Sequence, residues 1–476
     1  MDYPRKPLTI QEKWPQYCAA IAATLSSLLA GISMGWTSPV MNRLMGITGT
    51  HEPLERPLTL EESSWVTSLL TLGAIFGPLC GGIFIDKLGR KYTLLIMAGL
   101  PSILGWILTI SAKNYGMLYA ARFLIGISTG SASTLGPVYV AEISSASERG
   151  ALCSLPQLMI SLGILLEYAV GPYVSYFALG GINLAVSVIF VVSFFFMPES
   201  PYYLIAIGKQ EEAEKSLAWC RGERRRVPSS NVLKELEDIA DGVTAYGSSS
   251  SSLLDSFWGL FSSPGNRKAL MIMGALLFTL QFCGINAVLF NAESIFRGKS
   301  EDVPILGASE SAIVIAVVQV LSSWVETILA DRLGRRPLLF FSTIVCGVSL
   351  TALGAHDYIA SRDASAVSNI EWFPIVSLVF YNIAFTVGLG PLTWAIMGEL
   401  FSTNSKSAAG ILCGCFGWIA GFVVTRTFQP IASSSGTFVA YWIYASCSFA
   451  GFLFTAVFLP ETKCKTLQEI QRELND

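Results

Sequence analysis

The chain has 476 residues, of which 52% are hydrophobic and only 14% are charged, and its mean hydropathy is +0.54. A soluble protein carries about 25% charged residues, so this composition excludes an ordinary water-soluble globule. The net charge of -3 gives no global field that would attract nucleic acid. The two histidines, His51 and His356, fall in predicted loops. We therefore expect no nucleic-acid partner, no metal and no cofactor.

Hydrophobic stretches along the chain predict twelve membrane spans, because a helix needs about 20 apolar residues to cross the bilayer core. In chain order the predicted spans are 17–40, 64–85, 93–112, 116–140, 150–174, 178–197, 268–296, 308–330, 337–355, 371–398, 407–428 and 438–459. Lys and Arg are concentrated at both termini, in the long loop 198–267 and in alternate short loops. The positive-inside rule then places both termini and the long loop in the cytosol. We expect a multi-pass protein of the plasma membrane.

The two halves of the chain repeat three sequence marks in the same order. DKLGRK at 86–91 recurs as DRLGRR at 331–336, Gly-Pro at 136–137 recurs at 390–391, and Pro-Glu at 198–199 recurs at 460–461. Such a repeat predicts two halves of the same topology, with a substrate site between them near the middle of the membrane. The predicted fold is an all-α membrane protein with two pseudo-symmetric six-helix bundles.

These elements divide the chain into five predicted regions. They are a cytosolic N-terminal segment 1–16, an N-terminal bundle 17–197, a cytosolic linker 198–267, a C-terminal bundle 268–459 and a cytosolic tail 460–476. Within the linker, the stretches 209–222 and 230–240 are charged and helix-forming. We interpret this region as a connection between the bundles that carries short surface helices.

Several motifs in this order carry a resemblance to a known family. They lie at 86–91, 122–126, 137–142, 148–150, 198–201, 281–286, 331–336, 390–399 and 460–463. Over essentially its whole length the chain resembles the sugar porter family of the major facilitator superfamily. Within that family it is most similar to the facilitative hexose carriers of animals and the trehalose facilitators of insects. The resemblance implies a transporter rather than an enzyme, a monomer, and alternating access by rocking of the two halves.

Charged motifs on the cytosolic side indicate a set of ion pairs. The glycine in each DxxGR loop permits a tight turn, and the basic residues that follow can reach carboxylates across the seam between the halves. The resemblance implies a salt-bridge lattice formed by Arg90, Glu142, Arg149, Glu199, Arg335 and Glu399. Such a lattice would form when the inner mouth is shut. The alternative interpretation is simple positive-inside anchoring.

Amides and tryptophans within the spans are the candidates for binding a sugar. Amide side chains both donate and accept hydrogen bonds, and an aromatic ring can cover an apolar sugar face. The candidates are Gln157, Gln281, Asn286, Asn291, Gln319, Trp394 and Trp418. By resemblance, all of these except Asn291 match sugar-contacting or cavity positions of the family. The alternatives are hydrogen bonds between helices for the amides and a place in the interfacial belt for the tryptophans.

Three positions depart from the family's glucose carriers. Leu280 stands where many of them have a second glutamine, Gly417 where they have an asparagine, and Thr386 where hexose carriers have an acid. Fewer polar groups and one smaller residue predict a sugar-binding site that differs from that of the glucose carriers and has more space. A disaccharide such as trehalose is compatible with that change.

The acidic residues of the spans indicate whether transport is coupled to protons or passive. Proton-coupled members of the family carry an aspartate in span 1, where this chain has GWTSP at 35–39 and no acid. This absence favours passive facilitation. Glu167 in span 5 is a candidate proton site, because intramembrane carboxylates are functional candidates by default. Arg426 is the basic residue at comparable depth. A proton-coupled symporter and a transporter-like sugar sensor are the alternative functions.

Overall fold

The computed structural model describes residues 10–47, 49, 52–223, 229–247, 253–296, 307–370, 372–401 and 405–461, together with 469, 470, 472 and 474 of the tail. The first nine residues of the predicted segment 1–16, most of the predicted tail 460–476, and His51 lie outside the described residues. Within the described part the regular structure is helical throughout.

The N-terminal half is built from nine helices in the described chain. They are α1 (Ile10–Gly35), α2 (Thr37–Leu44), α3 (Leu60–Ala74), α4 (Phe76–Leu88), α5 (Arg90–Leu94), α6 (Leu100–Ile110), α7 (Tyr115–Ile143), α8 (Arg149–Val170) and α9 (Tyr176–Phe195). A π-helical turn over Leu95–Gly99 joins α5 to α6. The longest of these helices, α7, packs against α1, α3, α4 and α6, and α1 also packs against α8 and α9.

Four linker helices precede the C-terminal half. They are α10 (Pro201–Ala206), α11 (Gln210–Cys220), α12 (Ser230–Gly247) and α13 (Leu253–Ser262). The C-terminal half then comprises α14 (Pro264–Phe282), α15 (Ile285–Phe290), α16 (Ala292–Phe296), α17 (Ala308–Leu333), α18 (Arg335–Arg362), α19 (Phe373–Ala384), α20 (Gly390–Leu400), α21 (Lys406–Ser435) and α22 (Thr437–Phe458). A 3-10 turn over Ala364–Ile370 precedes α19, and a π-helical turn over Phe385–Leu389 joins α19 to α20.

Twelve helical segments of the described chain are long and apolar enough to cross a membrane, which confirms the predicted fold class. In the C-terminal half α18 packs against α19 and α22, while α14 packs against α21 and α22. The two halves meet where α8 packs on α17, and where α21 packs on α3 and α4. The exact limits of the bundles stay a prediction.

The repeated DxxGR motif forms the same turn in both halves. Gly89 ends α4 with φ of +89°, and Gly334 ends α17 with φ of +91°. Only glycine adopts this left-handed backbone without strain, so each motif changes helix direction at its glycine. Arg90 and Arg335 then begin the next helices from equivalent places.

Glycines let α3 and α4 approach α7 closely. A Cβ at Gly73 would lie 2.2 Å from the Phe123 carbonyl oxygen, and one at Gly77 would lie 2.2 Å from the carbonyl carbon of Gly130. Small residues at such crossings allow backbone-to-backbone packing, which drives helix association where lipid supplies no hydrophobic force.

We expect Gly77→Ala to destabilise the N-terminal half, because the new methyl group would meet the α7 backbone, which has no flexible end to move aside. Overpacking of this kind costs roughly 1–3 kcal/mol. Gly181→Ala in α9 is the matched control, since a Cβ there meets nothing within 4 Å. The midpoint temperature of thermal unfolding in detergent measures the effect of both substitutions. Equal midpoints for the two variants would contradict the close crossing.

Candidate functional site

A break in the seventh span places two predicted sugar-binding amides together. Helix α14 ends at Phe282, Gly284 takes the left-handed conformation with φ of +86°, and α15 begins at Ile285. In an unbroken helix Gln281 and Asn286 would point about 140° apart. With the break, the Asn286 amide nitrogen donates to Gln281 Oε1 at 2.7 Å. Both side chains are buried, so they do not face lipid.

Two glycines of α21 give this amide pair and Trp394 their space. A Cβ at Gly421 would lie 3.2 Å from Gln281 Oε1 and 3.4 Å from the Asn286 amide nitrogen, while a Cβ at Gly417 would lie 3.9 Å from the Trp394 ring. Residues four apart share one helix face, so these two glycines face the amides and the ring together. Trp394 follows the π-helical turn, at the bend expected from the Gly-Pro sequence, and remains 36% exposed.

Asn291 is held by a partner that the sequence did not single out. Its amide nitrogen donates to the Ala287 carbonyl at 2.9 Å, and its Oδ1 accepts from Gln429 Nε2 at 3.2 Å. Gln429 continues the i, i+4 row of α21 that begins at Gly417 and Gly421. The amide side chain at position 429 of this row was the sequence feature that could have pointed to Gln429 as a residue of the site.

Gln157 and Gln319 lie on the two sides of a contact between the halves. The hydroxyls of Ser161 on α8 and Ser323 on α17 are 3.0 Å apart, and each glutamine lies four residues before one of these serines. Gln319 is buried and its Oε1 has no hydrogen-bond partner among the described residues, whereas Gln157 is half-buried. Trp418 is buried in α21 beside Gly417. The structure does not join these three side chains to the Gln281–Asn286 pair by any described hydrogen bond.

Two carboxylates tie together the ends of α4, α7 and α9, on the side of the N-terminal half where the linker helices begin. Arg90 Nε lies 2.9 Å from Glu142 Oε2. Glu199 accepts from the backbone N–H groups of Arg90, Lys91 and Ser200. Burial raises the pKa of Glu199, and the three N–H donors oppose that rise. The Ser200 hydroxyl also donates to Glu142, so the turn after α4, the end of α7 and the start of α10 form one cluster.

The C-terminal half repeats the ion pair and the backbone contacts of the arginine turn in this cluster. Arg335 Nη2 lies 3.1 Å from Glu399 Oε1. Glu461 accepts from the backbone N–H groups of Arg335 and Arg336, both at 3.2 Å. Glu461 is the repeat partner of Glu199, and the Pro-Glu repeat was the signal for its role. These pairs lie within one half each, whereas the sequence prediction had them crossing the seam.

Arg149 does not join either cluster. Its side chain is exposed and makes no ion pair among the described residues. The neighbouring Glu148 instead accepts from Lys13 Nζ at 2.7 Å and from the Tyr17 hydroxyl. These two donors lower the pKa of Glu148. The loop between α7 and α8 is therefore tied to the start of α1 rather than to the repeated motifs.

We expect Glu142→Gln to weaken the N-terminal cluster. Its pair with Arg90 is largely buried, with 16% of each side chain exposed, and loss of a charged hydrogen-bond partner costs roughly 1.5–3 kcal/mol. Glu212→Gln is the matched control, because the Lys209–Glu212 pair is 52% and 55% exposed and exposed pairs contribute little. We expect the midpoint temperature of thermal unfolding to fall for Glu142→Gln and to stay unchanged for Glu212→Gln. An equal effect of both variants would contradict a structural role of the cluster.

Polar contacts bridge the seam between the halves near the carboxyl end of α8, the side that the sequence predicts to face outwards. The Glu293 backbone N–H donates to the Ser38 hydroxyl at 3.0 Å, and the Ser294 hydroxyl donates to Asn42 Oδ1 at 3.1 Å. The Tyr168 hydroxyl donates to the Leu289 carbonyl. We call these three contacts the outer latch. They join α2 and α8 of one half to α15 and α16 of the other.

Glu167 lies next to this latch and is fully buried. Neither carboxyl oxygen makes a hydrogen bond of normal geometry with the described residues. The buried side-chain amide of Asn183 on α9 lies beside the carboxyl group and interacts with it as a weak hydrogen-bond donor. The basic residue in electrostatic contact is Arg122. Arg426, the basic residue at comparable depth in the predicted spans, is not the partner of Glu167. Its side chain interacts with Glu61 and Ser64 of α3 and with the Trp65 ring.

The comparisons with known proteins decide the family. The profile described as "Sugar (and other) transporter" matches residues 19–474, nearly the whole chain. The chain belongs to the sugar transporter family. This confirms the resemblance that the motifs indicated.

Curated relatives of this sugar transporter include the facilitated trehalose transporter Tret1 of Bombyx mori. It is 35% identical over 461 residues, which cover 97% of this chain and 87% of the relative. A protein of the same name from Drosophila willistoni is 32% identical over 463 residues, and this chain spans about half (51%) of its length.

Solved structures share the fold. The major facilitator proton:xylose symporter XylE, bound to 6-bromo-6-deoxy-D-glucose, aligns with a TM-score of 0.76 over 96% of this chain and 99% of that chain. The two sequences are 23% identical, so the likeness establishes the architecture of this sugar transporter and not its energy source.

Proposed function

We propose that this sugar transporter moves trehalose or a hexose passively, as a uniporter working by alternating access. The observation that carries the proposal is the Gln281–Asn286 amide pair, held by the Gly284 break against the glycine face of α21 and near Trp394. We further propose that it acts as a monomer in the plasma membrane, with both termini in the cytosol.

The amide pair suits a ligand with many hydroxyl groups. Two amides bonded to each other keep spare donors and acceptors, and a sugar can replace their mutual hydrogen bond without leaving either group unpaired. The half-exposed ring of Trp394 would cover an apolar sugar face. We assign Gln157, Asn291, Gln319 and Trp418 to the surrounding walls, where they would contact the sugar from the other spans.

Two features support passive transport of a larger sugar. The segment Lys13–Leu44 contains no Asp or Glu, so the first span has no group to hold a proton. Gly417 and Gly421 leave the α21 face without side chains beside the amides and Trp394. A relative that carries the name facilitated trehalose transporter at 35% identity supports the same substrate class.

The contacts between the halves support alternating access. The outer latch bridges the halves, while the cytosolic clusters of Arg90 and Arg335 lie within one half each. Rocking can therefore break the latch without dismantling the clusters. We propose that Arg90, Glu142, Glu199, Arg335 and Glu399 stiffen the cytosolic ends of each bundle, and that Arg149 contributes when the inner mouth closes.

A counterflow panel on purified protein in liposomes tests the function. We expect exchange of labelled trehalose or glucose that equilibrates without accumulation and is unaffected by a protonophore. Fructose serves as the third sugar of the panel. Absence of flux with all three sugars would overturn the transport proposal.

A proton-coupled symporter is the second candidate function, and the fully buried carboxyl group of Glu167 is the observation that favours it. Accumulation of the sugar against its gradient, driven by an imposed proton gradient and abolished by the protonophore, would establish that alternative instead of uniport.

A further inference from the structure

We propose that Glu167 is a proton-binding site that controls the outer latch, so that binding of a proton holds the outer mouth shut. The proposal rests on the proposed alternating access, and it requires no net movement of protons with the sugar. It follows from the surroundings of one carboxyl group and from the two chain segments that connect it to the seam.

The carboxyl group has surroundings that suit its protonated form when the latch is closed. Glu167 is wholly inaccessible, and neither oxygen accepts a hydrogen bond of normal geometry from the described residues. The polar neighbour is the buried Asn183 amide, a weak donor to the carboxyl group. Gly35 of α1 packs directly on Glu167, since a Cβ there would lie 2.9 Å from Glu167 Cβ. One weak amide contact does not replace the hydration of an ionised carboxylate, which is far more costly to bury than the neutral acid.

Arg122 does not supply the missing donor. Its guanidinium is fully buried and donates to the Val66 carbonyl, the Ser33 carbonyl and the Thr37 hydroxyl at 2.9–3.2 Å. Its positive charge nevertheless lies close enough to act on the carboxyl group, and a nearby cation opposes the cost of burying a carboxylate. Entry of water would tip this balance towards the carboxylate, because hydration removes the cost of the buried charge.

The charged and titratable groups facing this region come from several helices. Helix α1 contributes none of them from residues 19–35, because this stretch contains no ionisable side chain. The groups on the other packed elements are Arg122 of α7, Tyr176 of α9, Arg43 of α2, Glu293 of α16 and Glu310 of α17. Arg43 is occupied by the carbonyl oxygens of Gly171, Pro172 and Val174, at the end of α8. Arg122 is therefore the cation that acts directly on Glu167.

Two short segments link this site to the latch. Tyr168 follows Glu167 on α8, and its hydroxyl crosses the seam to the Leu289 carbonyl. On the other side, Arg122 holds Ser33 and Thr37, and the adjoining Ser38 accepts from the Glu293 backbone across the same seam. Opening the latch must move both segments and would admit water to Glu167. Because coupling is reciprocal, loss of the proton must in turn favour the open latch.

Thiol labelling from outside measures the latch without any sugar. Ala292 lies in α16 at the seam and is 1% exposed, so Ala292→Cys should react with an impermeant reagent only when the outer mouth opens. Ser111→Cys, at an exposed outer turn, corrects for the pH dependence of thiol chemistry, and the parent protein gives the background from native cysteines. The measured quantity is the rate ratio of the two sites at each pH.

We expect this ratio to rise about fivefold or more from acid to neutral pH when Glu167 is present, and to stay at its acid value in Glu167→Gln, which mimics the protonated acid. Glu167→Asp should restore a pH-dependent ratio. Ser187→Ala removes a buried hydroxyl of α9 that bonds to Ser102, and it should leave the profile of the parent unchanged.

Two results would overturn the proposal. One is a flat ratio in the cysteine variants that retain Glu167, a result that needs no substitution at Glu167 itself. The other is the same pH profile with and without Glu167→Gln. Neither result depends on sugar flux, so failure of the proton site remains distinct from failure of the transport function, which the counterflow panel reports.

Discussion

Asn286→Ala should lower sugar uptake at subsaturating concentration by about 10- to 100-fold while the protein still folds. The reason lies in the pair that Asn286 makes with Gln281 at 2.7 Å. A site built to bond hydroxyls loses affinity steeply when one of its polar groups goes, because the remaining partner is left buried and unpaired. Gln281→Ala should have a similar effect, and the double variant should be less than additive because the two amides act as one unit.

Counterflow and equilibrium binding of labelled sugar measure this effect. Asn266→Ala is the matched control, since Asn266 is a buried amide at the start of α14, the helix that carries Gln281, and its side chain bonds to the Ser405 hydroxyl and the Gly259 carbonyl instead. We expect its sugar affinity to equal that of the parent. Equal losses for Asn266→Ala and Asn286→Ala would indicate a general folding defect and would remove the amide pair from the sugar site.

The sequence predicted those parts of the molecule that depend on local chemistry. Twelve spans follow from runs of apolar residues, and the turns at Gly89 and Gly334 follow from a motif that needs positive φ. The break at Gly284 has a local cause too, because two amides five residues apart cannot share a face of an intact helix and the glycine between them accepts positive φ. Each of these features is encoded within a few neighbouring residues.

Contacts between distant helices were harder to predict. The i, i+4 row of α21 shows which side Gln429 faces, but it does not identify Asn291, 138 positions earlier, as its partner. The depth of Arg426 in span 11 likewise did not indicate that its side chain contacts α3. The ion pairs of Arg90 and Arg335 were expected across the seam but form within each half. These contacts depend on how each helix is rotated and on which spans meet in the folded protein. A single sequence that offers acidic partners both within a half and across the seam does not determine which partner each arginine binds.

Arg122→Leu should destabilise the protein more than the other substitutions considered, by about 3 to 5 kcal/mol, the cost of breaking a buried charged network. The guanidinium joins three helices, because its acceptors are Ser33 on α1, Val66 on α3 and Thr37 on α2. It also stacks 5.1 Å from the Trp36 ring centre. Removal takes the charged donor away from two backbone carbonyls and a hydroxyl group in a place that water cannot reach.

Arg122→Lys separates charge from geometry. The ammonium keeps the positive charge but cannot direct donors along the three directions of a planar fork. If the fork holds the outer segment of α1 in place, Lys should recover only part of the stability lost in Arg122→Leu, as measured by thermal unfolding in detergent. Arg56→Leu is the control, because Arg56 pairs with Glu62 at the exposed surface and should change the midpoint little. Full recovery by Lys would show that charge alone matters. In that case Arg122 would act on Glu167 as a counter-ion rather than as the residue that positions Ser33 and Thr37 beside the latch.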